Sequence, residues 1–226
     1  PAKAIGLIRD PEIEPVNLLD LVGYKTQVPY CMDLRAYSIL HDVKENNQSG
    51  KAMDSCNDLS SSTAFTILSK AGAWSMPHQD YHGVLTTIRV ECGKKLWIAW
   101  PALNKTETIS WNQRGELVSD PFAILLQEGD MLVQPPGIVH APYTLTLTML
   151  SGTIHWDSRA MVKVLKQSIE EFRYPDTTNE DPAMTFRKLV RIRILWMSGN
   201  PYYPWPEEKK KESFDNLFKV CGISIV

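Results

Sequence analysis

The stretch "WSMPHQDYHGVLTTIRVECGKKLWIAWP", residues 74–101, decides the fold class, because its apolar residues alternate in short runs broken by glycine and proline. Comparable β-rich runs lie on both sides of it: "TAFTILS" (63–69), "FAILLQ" (122–127), "DMLVQPP" (130–136) and "IVHAPYTLTLTMLSGTIHW" (138–156). Gly, Pro, Asn and Asp separate these runs at the spacing of an antiparallel sandwich or barrel. The sequence therefore predicts a mainly β fold.

The pattern of apolar and polar residues changes on both sides of this β-rich region, which we place at residues 62–157. Residues 1–61 mix short apolar pieces such as "NLLDLVGY" (17–24) with polar breaks, which predicts an N-terminal lead-in with short helices. After residue 157 the apolar residues recur every three or four positions in "MVKVLKQSIEEF" (161–172) and "AMTFRKLVRIRILWM" (183–197). This spacing predicts a C-terminal helical extension over residues 158–226.

Composition excludes several classes of protein. With 43% hydrophobic and 22% charged residues in 226, the chain is an ordinary globular one that can bury one sizeable core. The formal net charge of −2 provides no overall basic field, so we expect no direct nucleic acid binding. No apolar run approaches the roughly 20 residues of a membrane helix. Four cysteines without CxxC spacing indicate free thiols, and hence an intracellular protein of the nucleus or cytoplasm.

His78 and Asp80 lie two residues apart, so on a strand their side chains point the same way. Such a pair by itself is more often a surface histidine beside a solvated aspartate. His140, which follows a Gly-Asp turn and a Pro-Pro-Gly corner, is expected on a neighbouring strand of the same barrel. Two histidines and one carboxylate leave three adjacent positions open on octahedral iron(II), whereas structural zinc takes four ligands, usually with thiolate.

Lys95 is the second candidate feature. At the start of "KKLWIAWP" it can point into the barrel and neutralise the carboxylate of an anionic co-substrate, while Lys94 faces the opposite side. The alternative interpretation of Gly93-Lys94-Lys95 is a charged hairpin tip.

Together the segments "HQDYHG…GKKLWIAWP…EGDMLVQPPGIVHAPYT" resemble the JmjC domain, the jumonji branch of the Fe(II)- and 2-oxoglutarate-dependent oxygenases, over about residues 62–157. The resemblance implies a double-stranded β-helix, the cupin-like jelly roll, with flanking N- and C-terminal helices. It implies His78, Asp80 and His140 as the Fe(II) ligands and Lys95 on the far carboxylate of 2-oxoglutarate, with O2 as the other co-substrate.

The same resemblance implies three further contacts to 2-oxoglutarate. Ser75 stands three residues before the first histidine, where family members often present a hydroxyl to the carboxylate. Thr87 is taken as the substitute for an asparagine that members often carry, in phase with Lys95. His155 follows the last histidine by fifteen residues, where some relatives have a polar residue beside the co-substrate; a core histidine bonded to a carbonyl is the alternative.

Recognition of the substrate is expected from loops at the rim of the barrel. Tyr81 and His82 are predicted to lie at its mouth or in solvent, together with the insertion "LNKTETISWNQRGELVSD" (103–120). The resemblance implies hydroxylation of a protein or peptide, or N-demethylation by hydroxylation of a methyl group, with succinate and CO2 as co-products. A small-molecule oxygenase of the same chemistry and a non-catalytic jelly-roll module for binding or assembly are the alternatives.

The segment Asp181 to Met197 holds more large apolar residues than a one-sided surface helix needs. Either it is buried against the barrel or it pairs with a second subunit. A homodimer through the C-terminal helices is therefore an expectation that the sequence leaves open.

Overall fold

The computed structural model describes residues 2–19, 21, 28–38, 40 and 63–178. Its helices are α1 (Ala2–Arg9), α2 (Lys105–Arg114) and α3 (Met161–Arg173). Its strands are β1 (Asn17–Leu18), β2 (Ala64–Ser69), β3 (Leu85–Cys92), β4 (Lys94–Ala99), β5 (Phe122–Gln127), β6 (Met131–Gln134), β7 (His140–Thr144) and β8 (Thr148–His155). Among the residues described, no helix is both long and apolar enough to cross a membrane.

The strands form two antiparallel sheets. The major sheet has the order β1-β2-β8-β3-β6, and the minor sheet has the order β5-β4-β7. Isolated antiparallel bridges from Trp74 to Tyr143 and from His78 to His140 extend the minor sheet beyond β7. Two such sheets, with the chain passing repeatedly from one to the other, make the cupin-like jelly roll that was predicted.

A single glycine carries the chain from the major sheet to the minor one. Gly93 is the only residue between β3 and β4, and its φ of 86° lies in the left-handed region. A Cβ atom at this position would lie 2.1 Å from the carbonyl oxygen of Leu147, so no other residue fits. The crossing therefore depends on glycine for both its dihedral angle and its space.

The core lies between the two sheets. Its fully buried members are Ile88, Val90, Trp97, Ala99, Leu126 and Leu150. Because successive strand residues face opposite sides, the even-numbered residues of β3 and the odd-numbered residues of β4 point inward. The phase shifts by one residue between the two strands, and an irregularity in the pairing of β3 with β8 lies between Val90 and Cys92.

One predicted helix is wrong. Instead of starting a helix in "NLLDLVGY", Asn17 and Leu18 pair with Ser69 and Leu68 of β2, and the N–H of Leu21 donates to Thr66 O at 3.1 Å. The open edge of β2 supplies backbone partners that outweigh a weak local helix propensity.

Other sequence predictions have different outcomes. The helix predicted over residues 161–172 is confirmed as α3. Cys31 and Cys92 are free and exposed. The helix predicted over residues 183–197 and the homodimer through it lie outside the described residues, and the boundaries 1–61, 62–157 and 158–226 stay a prediction.

Candidate metal centre

Three candidate ligands meet at one end of the minor sheet. His78, Asp80 and His140 each offer one ligand atom, and these atoms all lie within 4.8 Å of one another. The two histidines face each other through reciprocal backbone hydrogen bonds of 3.0 and 2.9 Å, and their ring centroids are 4.3 Å apart. The backbone pairing, rather than the side chains alone, therefore holds the rings together.

Hydrogen bonds to carbonyl oxygens select the tautomer of both rings. Nδ1 of His78 lies 2.6 Å from Met76 O, and Nδ1 of His140 lies 3.1 Å from Ile138 O. A carbonyl can only accept, so each Nδ1 carries a proton and Nε2 is the ring nitrogen left to bind a metal. Burial, followed by the nearby His140, lowers the pKa of His78 to about 4, which keeps that imidazole neutral.

Asp80 divides its two oxygens between protein and site. Oδ2 accepts hydrogen bonds from the hydroxyl of Thr86 and, at 3.0 Å, from Nε2 of Gln134. Oδ1 lies 3.6 Å from Nε2 of His140. Oδ1 and this ring nitrogen are the two atoms that would bind a metal ion from this pair of residues.

Gln134 links Asp80 to the core. Nε1 of Trp97 donates to Oε1 of Gln134 at 3.0 Å, and the indole of Trp97 stacks on the ring of His140 with a centroid distance of 5.1 Å. Because the indole only donates and the carboxylate only accepts, these two bonds fix which way the Gln134 amide points. Nε2 of Gln134 also lies 3.1 Å from Nδ1 of His140. Both nitrogens are donors, so this contact is not a hydrogen bond.

Lys95 is buried near the core. It is 3% exposed, and Nζ donates to Oγ of Ser69 at 3.0 Å. No carboxylate among the described residues lies within ion-pair distance of it, and burial lowers its pKa to about 8. Lys94 is exposed on the other face, in agreement with the predicted strand phase.

Beside Lys95 lies a buried hydroxyl group, that of Thr144. Thr144 is paired directly with Lys95 in the register of β7 and β4, so both side chains lie on the inner face. Oγ1 of Thr144 is buried and has no hydrogen-bond partner within the described part of the chain. A buried ammonium, an unpaired hydroxyl and the hydroxyl of Ser69 together suit a carboxylate.

Two of the predicted co-substrate contacts do not reach this region. Thr87 pairs with Thr153 on the outer face of the major sheet, with 2.6 Å between their hydroxyl oxygens, and Nε2 of His155 lies 2.8 Å from Oγ1 of Thr153. The face that meets Asp80 carries Thr86 instead. Matching Thr87 to Lys95 by counting residues fails because the phase changes between β3 and β4.

The contact predicted between Ser75 and 2-oxoglutarate stays a prediction. It is half-buried, and its backbone N–H donates to Pro142 O at 3.1 Å. The hydroxyl that contacts Lys95 in this structure belongs to Ser69, which the sequence prediction missed. The sequence pattern could have indicated it, because Ser69 lies at the end of β2 in phase with Phe65 and Ile67, which face inward. Thr86 and Gln134 are likewise polar residues at inward-facing strand positions.

Tyr81 and His82 were predicted at the rim, and this is wrong. They are 2% and 3% exposed in the turn Tyr81–Gly83, which packs against α3. Helix α3 covers the turn that would otherwise face solvent. In the insertion, residues 105–114 form α2, which Asn104 and Glu107 cap in a reciprocal capping box.

A model of the JmjC domain matches residues 39–164, more than half of the chain. The chain is 26% identical over 153 residues to KK-1 biosynthesis cluster protein D of Curvularia clavata, covering 64% of this chain and 15% of that protein. It is 22% identical over 165 residues to JmjC domain-containing histone demethylation protein 1 of Candida glabrata, covering 69% and 41%. The chain thus spans less than half the length of either relative.

Solved structures with similar strand arrangements include KdgF from Halomonas sp., at 18% identity and a TM-score of 0.28, covering 41% of this chain and 67% of that one. An RmlC-like cupin from Shewanella frigidimarina matches at 20% identity and a TM-score of 0.29, covering 41% and 63%. The strand order and register described above define the jelly roll without them.

Proposed function

Because the chain belongs to the JmjC domain family, we propose that it is an Fe(II)- and 2-oxoglutarate-dependent oxygenase that hydroxylates a C–H bond of its substrate. The observation that carries the proposal is the convergence of His78, Asp80 and His140 in a jelly roll that also buries Lys95, with no counter-ion from the described residues. A metal site and an anion site in one barrel match the needs of a metal-chelating dicarboxylate.

The residues present fit both groups. Two imidazoles and one carboxylate, each with its remote atom already hydrogen-bonded, are a donor set for iron(II) that leaves three positions open. Lys95 would bind the far carboxylate of 2-oxoglutarate, assisted by the hydroxyls of Ser69 and Thr144. When bound with O2, this cofactor set hydroxylates a C–H bond and yields succinate and CO2.

The protein's own part is orientation and the exclusion of water. Gln134 and Thr86 hold one oxygen of Asp80, so the other is directed at the histidines. Trp97 stacks on His140 and closes that side of the site with apolar surface. Each ligand is therefore held in one orientation before a metal binds, which lowers the cost of ordering the site.

We propose a protein or peptide substrate, with N-demethylation as the outcome where the hydroxylated carbon is an N-methyl group. The name of the Candida glabrata relative supports this class. The name of the Curvularia clavata relative supports the second candidate, a small-molecule oxygenase of the same chemistry. Free, exposed Cys31 and Cys92 support a reducing location in the nucleus or cytoplasm.

The test is Fe(II)-dependent turnover of 2-oxoglutarate by the full chain. Protein kept free of oxygen is titrated with Fe(II) and then 2-oxoglutarate, following the visible charge-transfer band of the chelate, and succinate is measured after O2 is admitted. His140→Ala lacks one candidate ligand and should give no turnover. Lys94→Ala, on the exposed face, is the control and should keep it. A wild type that forms neither the chelate nor succinate would instead be the non-catalytic binding module.

A further inference from the structure

The turn that follows the candidate ligand Asp80 has an unfavourable backbone. His82 has a φ of 68°, and Gly83 follows with a φ of 58°. A residue with a side chain is strained in the left-handed region, and such strain persists only where neighbouring structure holds it in place. Contacts from the surrounding structure must therefore stabilise the backbone of this turn.

Helix α3 packs directly on the turn. The N–H of Gly83 donates to the carboxylate of Glu171, with distances of 3.1 and 3.3 Å to its two oxygens. A Cβ atom on Gly83 would lie 2.4 Å from Val164 O, so helix and turn touch through their backbones. From the end of β8, Nε1 of Trp156 donates to His82 O at 3.0 Å. Helix α3 and the end of β8 thus hold the two sides of one peptide group, the group that joins His82 to Gly83.

The helix also holds the residue between the two neighbouring ligands. Nε2 of Gln167 donates to Oε1 of Gln79 at 3.0 Å, and Nε2 of Gln79 donates to Gly137 O at 2.8 Å. Gly137 belongs to the corner that precedes His140. Gln79 faces away from His78 and Asp80, so it connects α3 to both segments that carry ligands without occupying the metal site.

Glu171 has no role in the chemistry proposed above, and its burial is unfavourable. It is 1% exposed, and loss of solvent raises its pKa to about 7, with a smaller contribution from Asp80 in the same direction. A buried carboxylate is retained at a free-energy cost. Glu171 and Gln167 both lie beyond residue 164, where the match to the family model ends.

We propose that α3 is a clamp that sets the position of Asp80 relative to the two histidines, with Glu171 and Gln167 as its positioning residues. The clamp rests on the proposed function only for the identity of the metal, since it acts on any divalent ion that these three ligands bind. Through it, residues outside the β core determine the geometry of the metal centre.

The experiment measures binding of Co(II) alone to the full chain, because Co(II) occupies the same donor set and its visible absorption reports ligand geometry. Partners of metal ligands typically contribute 10- to 100-fold to affinity. We expect Glu171→Ala and Gln167→Ala each to weaken Co(II) binding about 10-fold or more and to alter its visible spectrum. Glu171→Gln retains an acceptor for Gly83 and restores most of the wild-type affinity and spectrum.

Glu170→Ala is the matched control, because Glu170 is the adjacent residue of the same type and pairs with the exposed Arg173. Far-UV circular dichroism and melting curves accompany every variant. If Glu171→Ala does not fold, Gln167→Ala and Glu171→Gln decide the result. Wild-type affinity and spectrum in Gln167→Ala, or equal losses in Glu170→Ala, would overturn the clamp.

Failure of the clamp and failure of the proposed function give different results. If the wild type binds Co(II), His140→Ala abolishes the binding and no 2-oxoglutarate turnover occurs, the oxygenase proposal fails and the clamp is still tested. If turnover is present and the α3 variants bind Co(II) as the wild type does, only the clamp fails. A wild type that binds no Co(II) overturns the clamp as well.

Discussion

Replacing Lys95 by methionine should make the protein more stable and strongly weaken its binding of 2-oxoglutarate. Burial lowers the pKa of Lys95 from 10.5 to about 8. At 1.36 kcal/mol for each pH unit, this difference corresponds to roughly 3 kcal/mol of folding free energy lost by keeping the charged form buried at pH 7. Methionine has similar length and no charge, and the lost hydrogen bond to Ser69 offsets about 1 kcal/mol.

The expected gain is therefore about 1 to 3 kcal/mol, which corresponds to an increase in Tm of roughly 2 to 12 °C for a domain of this size. Truncating one partner of a buried charge pair costs at least about 2 kcal/mol, so affinity for 2-oxoglutarate should fall more than about 30-fold. Melting curves without ligand and calorimetric titration with 2-oxoglutarate, both at pH 7, measure the two effects.

The pH dependence gives a check on the cause. The folded-state pKa of Lys95 is lowered, so the penalty is fully present below about pH 8 and disappears as the pH rises from there towards 10.5. The stability advantage of Lys95→Met should narrow over that range. Lys94→Met, on the exposed face, should change neither property. A Lys95→Met variant that is less stable at pH 7 and still binds 2-oxoglutarate normally would refute the reasoning.

Three further predictions concern the metal site and the two buried networks around it. Alanine at any one candidate ligand should abolish Fe(II)-dependent turnover while the melting curve stays cooperative: His78→Ala, Asp80→Ala and His140→Ala. Turnover in one of them would remove that residue from the site. Burial raises the folded-state pKa of Glu171 from 4.5 to about 7, so its contribution to stability is present below pH 4.5 and is lost as the pH rises through 7. Relative to wild type, Glu171→Gln should gain up to about 3 kcal/mol across that window in urea titrations, and a pH-independent difference would contradict this. Thr87→Val and His155→Gln should leave the affinity for 2-oxoglutarate within about twofold of wild type, because both side chains lie on the outer face; a tenfold loss in calorimetry would place them back at the site.

Local periodicity made much of this protein predictable. Alternation of apolar residues indicates strands, and glycine at residue 93 is needed where φ is 86° and no Cβ fits. The spacing of His78 and Asp80 puts two side chains on one side of an extended segment, and the same rule separates Lys95 from Lys94. These are properties of neighbouring residues, so the sequence by itself determined the mainly β class, the pair His78 and Asp80, and the inward lysine. His140 was inferred separately, from the Gly-Asp turn and the Pro-Pro-Gly corner before it.

Contacts between residues that are distant in the sequence could not be predicted from local periodicity. The phase change between β3 and β4 decides that Thr86, and not Thr87, meets Asp80. The bonds from Gln167 to Gln79 and from Gly83 to Glu171 each span 88 residues, so no local pattern indicates them. Only the tertiary structure decided which polar groups surround the metal ligands, because a strand's period shows which residues share a face but not which element covers that face.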